Sequence, residues 1–292
     1  MKSTLLLTKR NLQLYFRDRA NVFFSLLGAL VLIGLYALFL GRLQVQTLQE
    51  QLPDADTRDI QGFVNAWVFA GITMITTLTT GLAALAVFVE DRTSGRFSDF
   101  MVSPLRRWQL VLGYLGSTLV VSVVMTVAIV VVGQIFLLSQ GNPVISAANL
   151  GKLLGYVMLS SAAFAALSAF AVSFLRSVGA FSALSTVVGT LTGFLAGAYI
   201  PMGALPAGVV SFLNALPFAQ SAMLIRRPFT AAALTEITGG QPEAIAKITE
   251  LYGITGSVRG TEVTPGLAIG TLATMVVAFS LLSAWQLNRR IR

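Results

Sequence analysis

Charged and aromatic side chains are concentrated in one polar segment, residues 90–108, where they could bind another protein. The candidate contact residues are Glu90, Asp91, Arg92, Gly95, Arg96, Phe97 and Phe100. Phe97, Phe100 and Met101 follow i, i+3, i+4 spacing, which predicts a short amphipathic helix over 91–102. Aromatic side chains bury contact area and arginines form paired hydrogen bonds, so the composition is that of a docking element. A surface helix that only stabilises a turn explains the pattern equally well.

Hydroxyl and aromatic groups form a second candidate site, a path for an amphipathic solute. The candidate path residues are Phe23, Phe24, Thr73, Thr76, Thr77 and Thr80. The four threonines follow i, i+3, i+4, i+7 spacing and therefore share one helix face. Membrane threonines more commonly bond to their own i−4 carbonyls or to a neighbouring helix, and that interpretation stays open.

Residue types that the chain lacks exclude several kinds of chemistry. There is no cysteine and no histidine, which removes thiolate nucleophiles, imidazole bases and the commonest metal ligands. We therefore expect no catalytic site, no metal site and no cofactor bound by this chain. The sequence also has no G-x-x-x-x-G-K-[ST] phosphate loop, so any ATP hydrolysis must come from another polypeptide.

Six long apolar stretches must position these segments. They fall near residues 20–40, 66–89, 109–138, 150–175, 178–200 and 265–286. Each can cross a bilayer, which takes about 20 apolar residues. Hydrophobic residues make up 55% of the chain and charged residues 11%, with a mean hydropathy of +0.78. The sequence therefore predicts an all-α membrane protein with a six-span transmembrane domain over 20–292.

The positive charges predict how this domain is oriented. Six spans place both termini on one side, and thirteen of the twenty Lys and Arg residues fall on that side. Eight of the twelve acidic residues fall on the other side. The positive-inside rule then predicts a multi-pass protein of the cell membrane with both termini in the cytoplasm. The net charge of +8 reflects this topology, and we expect no nucleic-acid partner.

The first 19 residues have the pattern of an amphipathic helix. Leu5, Leu12, Tyr15 and Phe16 fall on one face, which favours an interfacial helix that lies on the lipid membrane. A basic tail that only sets the topology is the alternative. After the first span, residues 41–65 read as an acidic outer connection with a short helix after Pro53.

The fifth apolar stretch carries a glycine ladder. Gly189, Gly193 and Gly197 form two overlapping G-x-x-x-G steps, and small residues at this spacing let two helix backbones approach closely. The ladder predicts a helix seam. The partner helix could belong to this chain or to a second copy.

Prolines interrupt the chain after the fifth stretch. Pro201, Pro206 and Pro217 separate two apolar pieces over 201–229 that are too short to span, which predicts a reentrant helical hairpin on the outer side. A single broken span is the alternative. Residues 230–264 read as a small extracellular cap with one helix near 242–252.

The sequence from Glu90 to Gly113 carries a family resemblance. It reads Glu-Asp-Arg-x-x-Gly, seven further residues, then Ser-Pro-x-x-Arg-Trp-x-x-x-x-Gly. Placed between the second and third of six spans, it resembles the permease subunit of ABC type-2 exporters. The resemblance extends over essentially the whole chain.

This resemblance implies how the protein would work. The helix after the second span would be a coupling helix that binds a separate ABC ATPase subunit, present in two copies and holding ATP and Mg. The permease would pair with a second copy, or with a similar permease, through its first and fifth spans. The prolines of the reentrant hairpin would line an exit gate.

The expected function is export of a hydrophobic or amphipathic substrate such as a drug, an antibiotic or a lipid-like molecule. An ion-coupled secondary carrier of small amphipathic molecules is the alternative. None of the twelve acidic residues lies in the centre of an apolar stretch, and such carriers depend on ionisable groups inside their spans. This distribution argues against the alternative.

Overall fold

The computed structural model describes residues 2–97 and 107–290. The all-α prediction is confirmed, because within these residues the strands β1 and β2 contain only two residues each. The elements are α1 Lys2–Arg17, α2 Arg19–Ser25, α3 Leu27–Leu35, a π-helix Tyr36–Leu40, α4 Gly41–Gln51, α5 Thr57–Ala84, α6 Ala86–Thr93, α7 Arg107–Ser139, α8 Ala147–Ser173, α9 Val178–Leu195, a 3-10 turn Met202–Ala204, α10 Ala207–Ala215, α11 Pro217–Thr238, α12 Pro242–Leu251, β1 Ser257–Val258, β2 Thr261–Glu262 and α13 Pro265–Arg290.

The described residues contain six helical segments long and apolar enough to cross a membrane, as the sequence predicts. These spans are Leu27–Gln51, Thr57–Thr93, Trp108–Ser139, Ala147–Ser173, Val178–Leu195 and Pro265–Gln286. We call the side of the bundle that carries both chain ends the terminal side, and the opposite side the distal side.

The second span is the centre of the bundle. Within its most apolar window 83% is buried, against 18% for the first span and 17% for the fifth. It packs against the third and fourth spans and against α11, while the sixth span packs on the fourth. Phe63, Trp67, Ile72 and Phe164 are fully buried in this core. Because lipid is as apolar as these side chains, close packing and internal hydrogen bonds hold the helices together.

The first span is longer than predicted. Helical structure continues through the π-helix and α4 to Gln51, so the prediction of an outer loop from residue 41 is wrong. Leu48 on α4 is fully buried, and the Gln49 amide donates to the carbonyls of Leu52 and Ala55. These contacts extend the helix and close the turn. The short helix expected after Pro53 is the beginning of the second span.

The segment after the fifth span is a sharply bent helix pair, with α10 and α11 meeting at 87°. The second arm ends at Thr238, so the boundary predicted at residue 229 is wrong. Pro228 lies inside the helix without ending it, and the left-handed Gly239 terminates it instead. A reentrant position in the membrane stays a prediction.

The distal cap is smaller than predicted, since α11 occupies residues 230–238 of the expected range. The cap contains α12 and the β1–β2 hairpin. The indole nitrogen of Trp67 donates to the carbonyl of Tyr252 at 2.8 Å, and the Tyr252 ring lies edge-on against Phe63. The cap therefore packs directly on the distal end of the second span.

Candidate functional site

Asp91 is the centre of a hydrogen-bond network on the terminal side. Its side chain is fully buried. The guanidinium of Arg10 donates to both carboxylate oxygens, at 2.6 and 2.8 Å, the Tyr114 hydroxyl donates at 2.7 Å, and Arg96 lies 3.4 Å away. The hydrogen bonds with Asp91 raise the pKa of Arg10 above its ordinary value. A single carboxylate therefore joins α1, the second span and the third span.

Arg92, next in the chain, joins the fourth span to the same end. Its guanidinium donates to the carbonyls of Ser173 at 3.1 Å and Leu175 at 2.9 Å. These carbonyls lie at the C-terminal end of the fourth span, where a cation is favoured by the helix dipole. Asp91 and Arg92 therefore hold the bundle together, with the Asp91 side chain fully buried and Arg92 half-buried.

The predicted helix over 91–102 does not begin where the sequence suggested. Asp91 and Arg92 lie in the last turn of the second span, which ends at Thr93. Gly95 then adopts a φ of +81°, a conformation that stops a helix, and helical conformation resumes at Arg96. Phe100, Met101 and the rest of 98–102 lie outside the described residues.

Among the predicted contact residues that the structure describes, three are exposed. Glu90, Gly95 and Arg96 are exposed on the terminal side. Phe97 is half-buried, with its ring edge-on against Phe88 at 5.8 Å between centroids. A binding partner at this end would therefore meet Glu90, Gly95 and Arg96. Asp91 and Arg92 lie behind them.

The N-terminal helix packs on the bundle through one face and leaves apolar side chains exposed on another, and its position on the membrane stays a prediction. Leu7, Asn11 and Tyr15 are buried, whereas Leu5 and Phe16 are exposed. Polar residues on and beside the buried face find partners on the third span and on α2. The pairs are Thr8 Oγ1 to the Gly113 carbonyl, Asn11 Nδ2 to Ser117 Oγ, and Tyr15 with Ser25.

Gly113 explains how this helix can approach the third span. A Cβ atom at this position would lie 2.5 Å from Cδ2 of Leu7, so only glycine fits without a shift. This position is the last residue of the Glu90–Gly113 pattern. The pattern therefore includes residues that assemble the terminal end of the bundle.

The predicted threonine stripe lies inside the bundle and not along an open path. Thr73, Thr76, Thr77 and Thr80 are fully buried. Each hydroxyl donates to a carbonyl of its own helix, at 2.6 to 2.8 Å. In this conformation the geometry favours the helix-packing alternative.

A groove of about 610 Å³ lies elsewhere, between the first, second and fifth spans. Its lining includes Phe24 and a different threonine of the second span, Thr79. Ser182, Ser185 and Thr186 of the fifth span add hydroxyl groups. Phe24 was a predicted path residue, but the sequence did not assign Thr79 or the fifth-span hydroxyl groups to a path, because that depends on which helix faces meet. Phe23 is exposed but does not line the groove.

The glycine ladder does not form a uniform seam. Gly189 lines the groove with open space around it, whereas Gly193 lies under the ring of Tyr199. Gly197, with a φ of +60°, lies beyond Leu195, the last residue of the helix. Within the chain, therefore, one glycine lines the groove, one receives an aromatic ring and one ends the span.

The predicted gate prolines lie at the starts of helices. Pro201 precedes the 3-10 turn, Pro206 precedes α10, and Pro217 is the first residue of α11. Proline suits these positions because its missing N–H has no partner in the first turn. They fix the bends of the distal end.

Arg226 is the distal residue that sequence reasoning left unassigned. It is fully buried and donates to the carbonyls of Ala196, Gly197 and Gly253 at 2.6 to 3.0 Å. Its guanidinium also lies 5.2 Å from the ring centroid of Trp67. A cation in an apolar helix was the available signal. Arg226 joins the end of the fifth span, α11, the cap and the second span.

Comparison with known proteins agrees with this architecture. The sequence model described as ABC-2 type transporter matches residues 2–226, which include the Asp91 network, the groove and most of the bent pair. No curated protein matches the chain. The chain therefore belongs to the ABC-2 type transporter family and is a membrane-spanning permease of an ABC exporter.

Proposed function

We propose that this permease exports a hydrophobic or amphipathic substrate, such as a drug, an antibiotic or a lipid-like molecule, using ATP hydrolysed by a separate ATPase subunit. Two ATPase copies carrying ATP and Mg would bind the terminal side. That side would face the cytoplasm, in agreement with the positive charge of the terminal-side segments.

The Asp91 network is the observation that carries this proposal. Glu90, Gly95 and Arg96 are exposed, while the adjacent Asp91 bonds directly to α1 and the third span. A push on the exposed residues would therefore reach several elements at once. This arrangement suits a permease driven by a protein bound at its cytoplasmic end.

The groove supports the choice of substrate class. The side chains that line it are apolar, aromatic, hydroxyl or amide groups, and no charged residue occurs among the described ones. The hydroxyl of Ser185 is buried without a hydrogen-bond partner in the described part of the chain. A neutral hydrogen-bond acceptor on an otherwise apolar molecule would satisfy it.

Dimerisation would place two such grooves together. The first and fifth spans are the least buried of the bundle, and Val187, Leu191 and Phe194 of the fifth span are exposed apolar residues. A second permease, of this or a similar kind, would cover these faces. The cargo path would then run between the two copies toward the bends at Pro201, Pro206 and Pro217.

The ion-coupled carrier is less well supported. Such a carrier depends on an ionisable group that exchanges its ion within the span. Asp91 is the buried carboxylate of the described spans, and it is already paired with Arg10. Both oxygens of this carboxylate already accept hydrogen bonds from Arg10 or Tyr114, so a coupling ion would have to displace these partners.

An uncoupling experiment tests the proposal. Arg96→Glu reverses an exposed charge at the expected contact, and Arg176→Glu makes the same change at another exposed terminal-side arginine. In proteoliposomes that contain the permease and its co-purifying ATPase, we expect Arg96→Glu to abolish cargo-stimulated ATP hydrolysis and transport. Arg176→Glu should leave both nearly unchanged. Equal activity of the two variants would contradict the coupling assignment.

A further inference from the structure

A second cavity lies on the other flank of the first span. It has a volume of about 640 Å³ and is bounded by the first, second and third spans near their distal ends. It shares no lining residue with the groove described above. Exposed residues in its lining, such as Arg42 and Phe136, show that it opens on the surface of the bundle.

The cavity is polar at one end and apolar at the other. Arg42, Gln46, Gln61 and Asn65 lie toward the distal end, and their side chains have no hydrogen-bond or ion-pair partner within the described residues. Ile33, Val68, Phe69 and Ile72 form the deeper part. Polar groups lie where a membrane surface would be, and apolar groups lie where acyl chains would be.

The depth of the cavity matches one leaflet of a bilayer. Gln61 and Ile72 are eleven residues apart on the same helix, which corresponds to about 16 Å at the helical rise. One leaflet contributes about 15 Å of hydrocarbon. A molecule with its head at Arg42 would therefore reach the middle of the membrane along this wall.

The backbone of the first span is irregular beside this cavity. The π-helix Tyr36–Leu40 interrupts the first span beside the cavity, and such interruptions are frequent at functional sites. A Cβ atom on Gly41 would lie 2.7 Å from the carbonyl oxygen of Tyr36, so the return to α-helix requires glycine. The Tyr36 hydroxyl donates to the carbonyl of Ala198, toward the fifth span.

We propose that this cavity binds an anionic glycerophospholipid of the distal leaflet. Its phosphate would lie against Arg42 with the amides of Gln61 and Asn65 as further donors, because a free cation beside neutral amides favours an anionic head group. One acyl chain would occupy the apolar part between Ile33 and Ile72. This lipid site goes beyond the export function and does not depend on the cargo.

Native mass spectrometry of the purified permease with added phosphatidylglycerol or phosphatidylcholine tests this site. We expect retained phosphatidylglycerol, with phosphatidylcholine binding about tenfold more weakly. Both lipids carry a phosphate, but the choline ammonium cancels the net negative charge that Arg42 attracts, whereas the glycerol head group leaves it. Arg42→Gln should remove the difference between the lipids. Ile33→Trp should fill the apolar end and lower the retention of both.

Matched variants control for general effects. Arg259→Gln removes an exposed distal arginine outside the cavity, and Leu30→Trp adds an indole to an exposed position of the same helix. Both should retain phosphatidylglycerol as the wild type does. Equal binding of the two lipids, or equal loss in the test and control variants, would overturn the proposal. Either result would leave the export function untouched, because transport is measured separately.

Discussion

At the terminal side the buried carboxylate of Asp91 binds the side chains of Arg10 and Tyr114, whereas at the distal side the buried guanidinium of Arg226 binds backbone carbonyls. The two partners of the terminal ion pair differ in exposure. The Asp91 side chain is fully buried, whereas the Arg10 side chain is 31% exposed. Arg226 has no such access to water.

This difference indicates which end of the bundle can move. The terminal ion pair can open, because water can hydrate Arg10 while the Tyr114 hydroxyl keeps one hydrogen bond to the buried Asp91 carboxylate. A fully buried cation cannot leave its carbonyls without leaving all of them unsatisfied. We therefore expect the terminal end to rearrange during transport and the distal junction of the second and fifth spans to stay intact.

Replacement of the distal cation should have the largest effect. Arg226→Met leaves the carbonyls of Ala196, Gly197 and Gly253 without this donor, and each unsatisfied buried carbonyl costs about 1–3 kcal/mol. We expect a large fall in melting temperature in detergent. Arg227→Met is the control, since Arg227 is partly buried and donates to a single carbonyl, that of Ile254, at 3.3 Å. Similar melting temperatures for both variants would show that the hydrogen bonds of Arg226 do not stabilise the distal side.

Loss of the Asp91 charge should lower stability less than replacement of Arg226 does, and its main effect should be on transport. Asp91→Asn weakens the bonds to Arg10 and Tyr114, at a cost of about 2 kcal/mol because Arg10 reaches water. We expect transport to fall at least about tenfold while the ATPase still binds. That fold-change corresponds to about 1.4 kcal/mol of lost coupling. Transport and ATPase co-purification are measured on the same sample.

A double-mutant cycle sharpens this prediction. With Asp91→Asn in place, Arg10→Gln should add little further loss, because the two residues act through one contact. Asp54→Asn, at an exposed acid of the distal turn between the first and second spans, is the control for a change of charge alone. Fully additive losses would show that Arg10 and Asp91 act separately.

The smallest effect is expected where α1 meets the third span. Gly113→Ala adds a methyl group 2.5 Å from Leu7 Cδ2 and should lower stability by about 1 kcal/mol. Gly155→Ala, with open space around it, should be neutral or stabilising. Leu7→Ala should relieve the clash when combined with Gly113→Ala. A lack of rescue in thermal unfolding would disprove the close approach.

Local sequence patterns were sufficient to predict the six-span membrane fold. The length of each apolar run predicts the six spans, and the polar segment from Glu90 predicts where the second and third spans connect. These features depend on composition and period within one element. The prolines of the sequence also indicate where α11 begins, at Pro217. They do not indicate where it ends, because Pro228 is tolerated inside the helix.

The site residues were harder to predict because they depend on contacts between elements. Thr79 lines the groove while Thr76 is buried, and only the packing of the second span against the fifth distinguishes them. The inward turn of Asn11 depends on Ser117, which lies on another helix. Asp91 was identified as a site residue, but its burial follows from Arg10 and Tyr114, whose positions no local pattern shows.

The most direct test of the account is transport by the purified permease with and without its ATPase in proteoliposomes. We predict that an amphipathic cargo moves only when the ATPase is bound and ATP and Mg are supplied on the terminal side. An imposed proton or sodium gradient should drive no transport by the permease alone. Gradient-driven transport without the ATPase would contradict the account.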